Sequence, residues 1–225
     1  MHTTPSVMVF DVNETLSDMA PIAERFTAIG APAHVAKVWF AQLLRDGFAL
    51  AATGHNVAFA DIGADVLRGL LHEVSLTRGL DESVEHVMQG MAELDLHPDV
   101  PAGIQALNAA GFRVVTLSNG SPDVAEKLFA AAGIRDEFER LLSVQDAPAW
   151  KPHRSSYDHA AQVCGVRPEE MMLVAVHPWD IHGAASAGLS TAWINRAGVP
   201  YPSFFHAPDH TINSLEELAE VQKLP

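Results

Sequence analysis

Hydrophobic positions follow different rhythms in successive parts of the chain. Val7–Phe10 is an unbroken apolar run, the pattern of a short strand buried on both faces. From about Pro21 to Glu93 the rhythm becomes helical. Ala33–Ala52, Val57–Val74 and Asp81–Leu94 each carry apolar residues three and four positions apart. Gly54 and Gly79 interrupt these stretches, so four helices packed together are expected. From His97-Pro98 onward strand and helix patterns alternate. Helices are predicted over Ile104–Ala110, Pro122–Ala132, Ser155–Cys164, Ile181–Ala187 and Ser214–Val221, and strands over Phe112–Leu117, Leu141–Val144, Met171–Val176 and Thr191–Ile194. Such alternation with short connections predicts an α/β fold, a parallel sheet with helices on both faces. Residues 1–16 and 98–225 would form that core, and residues 17–97 a helical domain inserted after the first strand. There is no internal repeat and no low-complexity tract.

Composition narrows the function classes. The 225 residues carry a formal net charge of −14, which argues against a nucleic-acid or anionic-membrane surface, because those need clustered Lys and Arg. A small anionic substrate stays open, since a few local donors can outweigh the global field. The single Cys164 permits no intrachain disulfide and fits a reducing compartment. No basic segment followed by an apolar one opens the chain, and no apolar run reaches the ~18 residues of a membrane span. A soluble, cytoplasmic protein is expected.

Ligands of open α/β sheets bind beyond the carboxyl ends of the strands. Four polar clusters fall there: Asp11 with Glu14 and Thr15, Ser118-Asn119-Gly120, Lys151-Pro152, and His177-Pro178-Trp179-Asp180. Singly, each reads better as an ordinary polar turn or cap. In this order and spacing the set resembles the four motifs of the haloacid dehalogenase superfamily, across nearly the whole chain. The resemblance implies a Rossmann-like parallel-sheet core under an inserted four-helix cap, with Asp11 as nucleophile. Within that superfamily, several segments resemble the L-2-haloacid dehalogenases: Leu117-Ser118-Asn119-Gly120-Ser121-Pro122, Leu142-Ser143-Val144, Lys151-Pro152 with Tyr157, Trp179-Asp180, and Trp193-Ile194-Asn195-Arg196. The likeness implies that Asp11 displaces halide from C2 of a short 2-haloacid, and that water then hydrolyses the aspartyl ester. It also implies no metal or organic cofactor, and a homodimer.

The residues support carbon–halogen chemistry over phosphoryl transfer. Phosphatases of the superfamily place a general acid where this chain has Asn13, and many place a metal-binding acid where it has Val176. A halide leaves without a proton. Lys151 would keep Asp11 ionised and oriented. Ser118, with the Ser118 and Asn119 backbone N–H groups, suits a substrate carboxylate. Thr15 either hydrogen-bonds the nucleophile or caps the following segment. Asp180 would anchor Lys151, cap the helix expected from Ile181, or both. Trp179 is a pocket wall or a core residue, and Tyr157 either orients Asp180 or Lys151 or packs on its own helix.

Two departures from the dehalogenase pattern carry their own expectations. Asn13-Glu14 stands where the pattern has Tyr-Gly, and Ala175-Val176-His177 where it has Ser-x-Asn. A Glu14–His177 dyad is expected, His177 acting as base for the ester-hydrolysing water and Glu14 orienting the imidazole; the plain alternative is a capping His and a solvated Glu. In the cap, an Arg cradling the halide directly follows a Trp in related enzymes, whereas here Trp39 is followed by Phe40. Trp39 and Phe40 would line the pocket, with Gln42 or Arg45 as other donors. His2, His153, His206 and the spaced His177 and His182 read as non-ligands. Two other functions stay open: a hydrolase acting on a phosphate or phosphonate, and a catalytically silent binding protein.

Overall fold

Among the residues this computed structural model describes, 5–221, six strands form one parallel sheet. They are β1 (Val7–Phe10), β2 (Arg113–Ser118), β3 (Arg140–Ser143), β4 (Met171–Ala175), β5 (Ser190–Ile194) and β6 (His210–Ile212), in the order β3-β2-β1-β4-β5-β6. Val9 pairs with Val115 on one side and Leu173 on the other, so β1 is central. The chain winds outward from β1 through β2 and β3, then returns to place β4 at β1's free side. The crevice between β1 and β4 is thus the topological switch point, where such sheets bind ligands. His2, read above as a non-ligand, lies outside the described residues.

Alternation of side chains divides the interior in two. Met8 and Phe10 of β1 join Val114, Met172, Val174 and Ile194 in one core, under α5 (Val100–Ala109), α6 (Pro122–Ala131) and α9 (Leu215–Val221). Val7 and Val9 join Val115, Leu117, Leu173 and Trp193 in the other, under α7 (Arg154–Cys164) and α8 (Pro178–Ala187). Both faces of β1 are fully buried, which is why Val7–Phe10 lacks an apolar–polar alternation.

Between β1 and α5 lie four helices: α1 (Ile22–Ala28), α2 (Val35–Ala52), α3 (Phe59–Leu71) and α4 (Leu80–Ala92). They bury their own cluster, including Phe26, Trp39, Leu43, Leu67 and Val87. The segments entering and leaving this block run side by side: Asp18 N–H donates to the Asp95 carbonyl (2.8 Å) and His97 N–H to that of Leu16 (2.9 Å). A second attachment is Trp150, whose indole N–H donates to the Val57 carbonyl (2.9 Å) and whose ring stacks on Phe59 with centroids 6.0 Å apart. Gly47 of α2 lies so close that a Cβ there would meet the Trp150 ring at 2.4 Å. Asn56 completes the attachment, donating to the Val144 and Ala147 carbonyls (2.7 and 2.8 Å).

Several sequence expectations change. The helix predicted from Ile181 starts at Pro178, and the one predicted from Ile104 starts at Val100; each has proline in its first turn, where a missing N–H costs nothing. β6 was not predicted, being three residues with only Ile212 buried. No described helix is long and apolar enough to cross a membrane.

Candidate active site

Asp11 follows β1 directly and is 4% exposed, beneath the inserted helices. Its Oδ1 accepts from the Lys151 ammonium at 3.0 Å and its Oδ2 from the Thr15 hydroxyl at 2.6 Å. Thr15 Oγ1 in turn accepts the Val176 N–H at 3.1 Å, so one hydroxyl ties the nucleophile turn to the end of β4. Lys151, fully buried, also donates to Asp180 Oδ2 at 2.5 Å, and Tyr157 donates its hydroxyl to Asp180 Oδ1 at 2.6 Å. Asp180 stands in the first turn of α8, not at its cap as one reading had it, and its carboxylate turns inward to this chain of bonds.

Charge is organised around one ammonium between two carboxylates. Burial alone would raise the Asp11 carboxyl, but Lys151, His177 and the Thr15 hydrogen bond outweigh it and hold the pKa below its ordinary value. Burial pulls Lys151 down, and the fields of Asp11 and Asp180 overcome it, leaving the ammonium held above the usual lysine value. Asp180 moves the other way, raised by burial and by the Asp11 charge against the pull of Lys151. Burial, then the Asp180 charge, push the Tyr157 phenol well above its usual value, so it serves as a donor. The carboxylate oxygens facing the switch point are therefore occupied by an ammonium and hydroxyl groups. Among the described residues no group of three or more His, Cys, Asp or Glu is arranged to hold a metal.

His177 precedes α8, on the β4 side of the crevice. Its Nε2 lies 3.2 Å from the Asn13 carbonyl, 3.5 Å from Asp11 Oδ2 and 3.7 Å from Glu14 Oε2. All three are acceptors, so Nε2 is the ring nitrogen placed to donate. The ring stacks on Trp179 with centroids 5.0 Å apart, and Phe40 approaches to 6.2 Å. Phe48 of α2 packs edge-on against Trp179 (4.9 Å), so one face of α2 roofs both rings. A cavity of about 830 Å³ opens beside this group, its walls including Glu14, Lys37, Phe40, His97, His177 and Arg196.

Other predicted residues take different positions. Trp39 does not reach the site: it is fully buried among the inserted helices, tilted against Phe26, with its indole N–H bonded to the Gly63 carbonyl (2.9 Å). The Asn119 side chain is engaged at both ends by the Lys151 backbone (3.0 and 3.1 Å), which makes it a support for Lys151. Ser118 Oγ accepts the Gly120 N–H at 2.9 Å, which leaves its own hydrogen available. Arg45 points to solvent and pairs with Asp46 (2.7 Å), and Gln42 lines a separate cleft between α2 and α3. Among the described residues no Arg joins Phe40 and Phe48 over His177 and Trp179.

Two residues were missed. His97 Nε2 donates to the Glu14 carbonyl (3.1 Å), and Arg196 donates twice to the Thr15 carbonyl (3.1 and 3.0 Å) while pairing with Asp99 (2.9 Å). Their partners are backbone oxygens, which leave no mark on a side-chain pattern. A half-buried Arg directly after a strand was the available signal.

Comparison with known proteins agrees with this geometry. The family model of haloacid dehalogenase-like hydrolases matches residues 5–188. Haloacetate dehalogenase H-2 of Moraxella sp. (strain B) is 27% identical over 217 residues, covering 95% of this chain and 96% of its own. The (S)-2-haloacid dehalogenase of Pseudomonas sp. (strain YL) is 29% identical over 218 residues, with 95% and 93% covered. A crystal structure of a dehalogenase in an intermediate complex superposes with a TM-score of 0.90 at 26% identity, over 98% of each chain.

Proposed function

Since the chain belongs to the haloacid dehalogenase-like hydrolases, we propose that it hydrolyses the carbon–halogen bond of small 2-haloalkanoic acids. One observation carries this reading: the buried Lys151 ammonium bridges Asp11 and Asp180 and keeps the Asp11 carboxylate ionised without a metal-like cluster of acids. In the first step an Asp11 oxygen attacks C2, and the C–X bonding pair departs with the halide. The desolvated, oriented carboxylate supplies the reactivity. Ser118 and its turn would receive the substrate carboxylate, and Trp179 and Phe40 the carbon chain.

In the second step water adds to Cγ of the ester, and His177 takes its proton. The bond from Cγ to the hydroxyacid oxygen breaks, that oxygen takes the proton, and Asp11 is regenerated with one oxygen from water. The net products are a 2-hydroxyacid, halide and a proton. Glu14, on the Nε2 side, would stabilise the imidazolium. The phosphate-ester reading is not favoured, because Asn13 and Val176 still stand where its acid and metal ligand belong. Relatives named for haloacids speak against a silent binder. A cytoplasmic homodimer is part of the proposal, to be checked by sedimentation.

The experiment is halide release from fluoro-, chloro- and bromoacetate and both 2-chloropropionate enantiomers. A single turnover in oxygen-18 water should label Asp11 and not the product. His177→Ala should release about one halide per site and then stall with Asp11 esterified. Label appearing directly in the product would overturn the ester route, and wild-type turnover by His177→Ala would remove the dyad.

A further inference from the structure

Three consecutive carbonyls in the nucleophile turn are each met by a side chain from a different part of the fold. The Asn13 carbonyl faces His177 Nε2 (3.2 Å), that of Glu14 accepts from His97 Nε2 (3.1 Å), and that of Thr15 accepts the two Arg196 bonds. His177 follows β4, Arg196 follows β5, and His97 lies where the helical insertion rejoins the core. Glu14, at the centre, has φ of 61°, the one described non-glycine residue in the left-handed region. A residue with a Cβ does not settle there unless its surroundings hold it.

Arg196 is only 17% exposed and is itself fixed by Asp99, whose second oxygen accepts the Leu215 N–H at the start of α9 (2.8 Å). Burial would raise the Asp99 carboxyl, but that N–H and Arg196 keep it below its ordinary value, so the pair stays charged. His97 is fixed by its own N–H on the Leu16 carbonyl. The left-handed turn is what brings the Glu14 carboxylate within 3.7 Å of His177, although that side chain is 44% exposed and otherwise free to swing into the cavity.

We propose that His97 and Arg196 are positioning residues for ester hydrolysis: by gripping the Glu14 and Thr15 carbonyls they lock the turn that presents Glu14 to His177. Neither touches the reacting atoms. The first displacement depends on Asp11, Thr15 and Lys151, whose mutual bonds do not pass through His97. The His97 grip therefore acts on the second step, in which water adds to Cγ and the ester bond breaks, whereas the Arg196 grip is on Thr15, whose hydroxyl holds Asp11, and bears on both steps. This inference rests on the Glu14–His177 reading.

The test is rapid-quench halide release with chloroacetate, joined to intact-protein mass measurement of the ester on Asp11. His97→Ala should keep a burst of about one halide per site at close to the wild-type rate. Steady turnover should fall on the order of tenfold to a hundredfold, as misplacement of a supporting group typically costs, with the ester visible. His97→Gln, whose amide can still donate to the carbonyl, should recover most of that loss. Arg196→Lys, which keeps the charge but loses the fork, should lower burst and steady rates together, because Thr15 also holds Asp11. Equal loss in burst and steady rates of His97→Ala, or no recovery with His97→Gln, overturns the positioning role. Glu14→Gln separates the two ideas. If it accumulates ester while His97→Ala does not, the positioning role alone fails. If it turns over like wild type, the dyad fails and takes this inference with it.

Discussion

Lys151 is the residue on which the site's ionisation turns. Its pKa is raised and that of Asp11 lowered, so the pair keeps both charges across a wide span. The signs set the window. A carboxyl with a depressed pKa loses its contribution only as pH falls through that depressed value, and an ammonium with a raised pKa only as pH rises through the raised one. Halide release in the first turnover should therefore be flat from about pH 5 to about pH 9, between the ordinary carboxyl and lysine values. A burst rate that halves by about pH 6 would show that the Asp11–Lys151 pair does not set the nucleophile's charge. Asp11, Thr15, Lys151 and Asp180 were legible in the sequence as candidates because strand ends mark them, and Tyr157 only through the family resemblance. Which atoms they bond was not, and Trp39 illustrates why: an aromatic on a helix looks alike whether it faces a pocket or its own domain's core. His97 and Arg196 escaped, and the supporting role of Asn119 was not foreseen, because they act on backbone atoms distant in sequence.

Among the elements, α2 connects the two halves most directly. It presents Phe40 and Phe48 to His177 and Trp179, and Gly47 to Trp150. Alanine in place of a mid-helix glycine ordinarily stabilises by about 0.5–1 kcal/mol. At Gly47 the sign should reverse. A Cβ 2.4 Å from the indole forces Trp150 or α2 to move, so Gly47→Ala should cost about 1–3 kcal/mol in denaturant unfolding. A gain in stability would mean that Trp150 is loosely seated. The element order was readable from rhythm alone, because buried strands and amphipathic helices differ so sharply in period. Helix starts were read late where proline opened the turn, as at Pro178 and Pro101, since proline resembles a breaker until its place in the first turn is known. β6 left too few residues for any period to register.

Over the whole molecule, 28 acidic residues against 14 basic ones surround a site proposed to take an anion. The long-range field should repel that substrate and weaken as salt screens it, the Debye length shrinking from about 30 Å at 0.01 M to about 8 Å at 0.15 M. Thus kcat/KM for chloroacetate should rise between those ionic strengths in potassium sulfate; a fall would show that local cations such as Lys37 and Arg196 govern approach. The attachment at Trp150 has a consequence for engineering. That tryptophan immediately precedes Lys151, and its socket is built by Gly47 of α2, Phe59 of α3 and Val57 of the segment between them. A helical block transplanted from another protein to alter substrate range would arrive without that socket. The catalytic ammonium would then hang from an unmoored indole, so a working chimera must bring a matching recess along with its new roof.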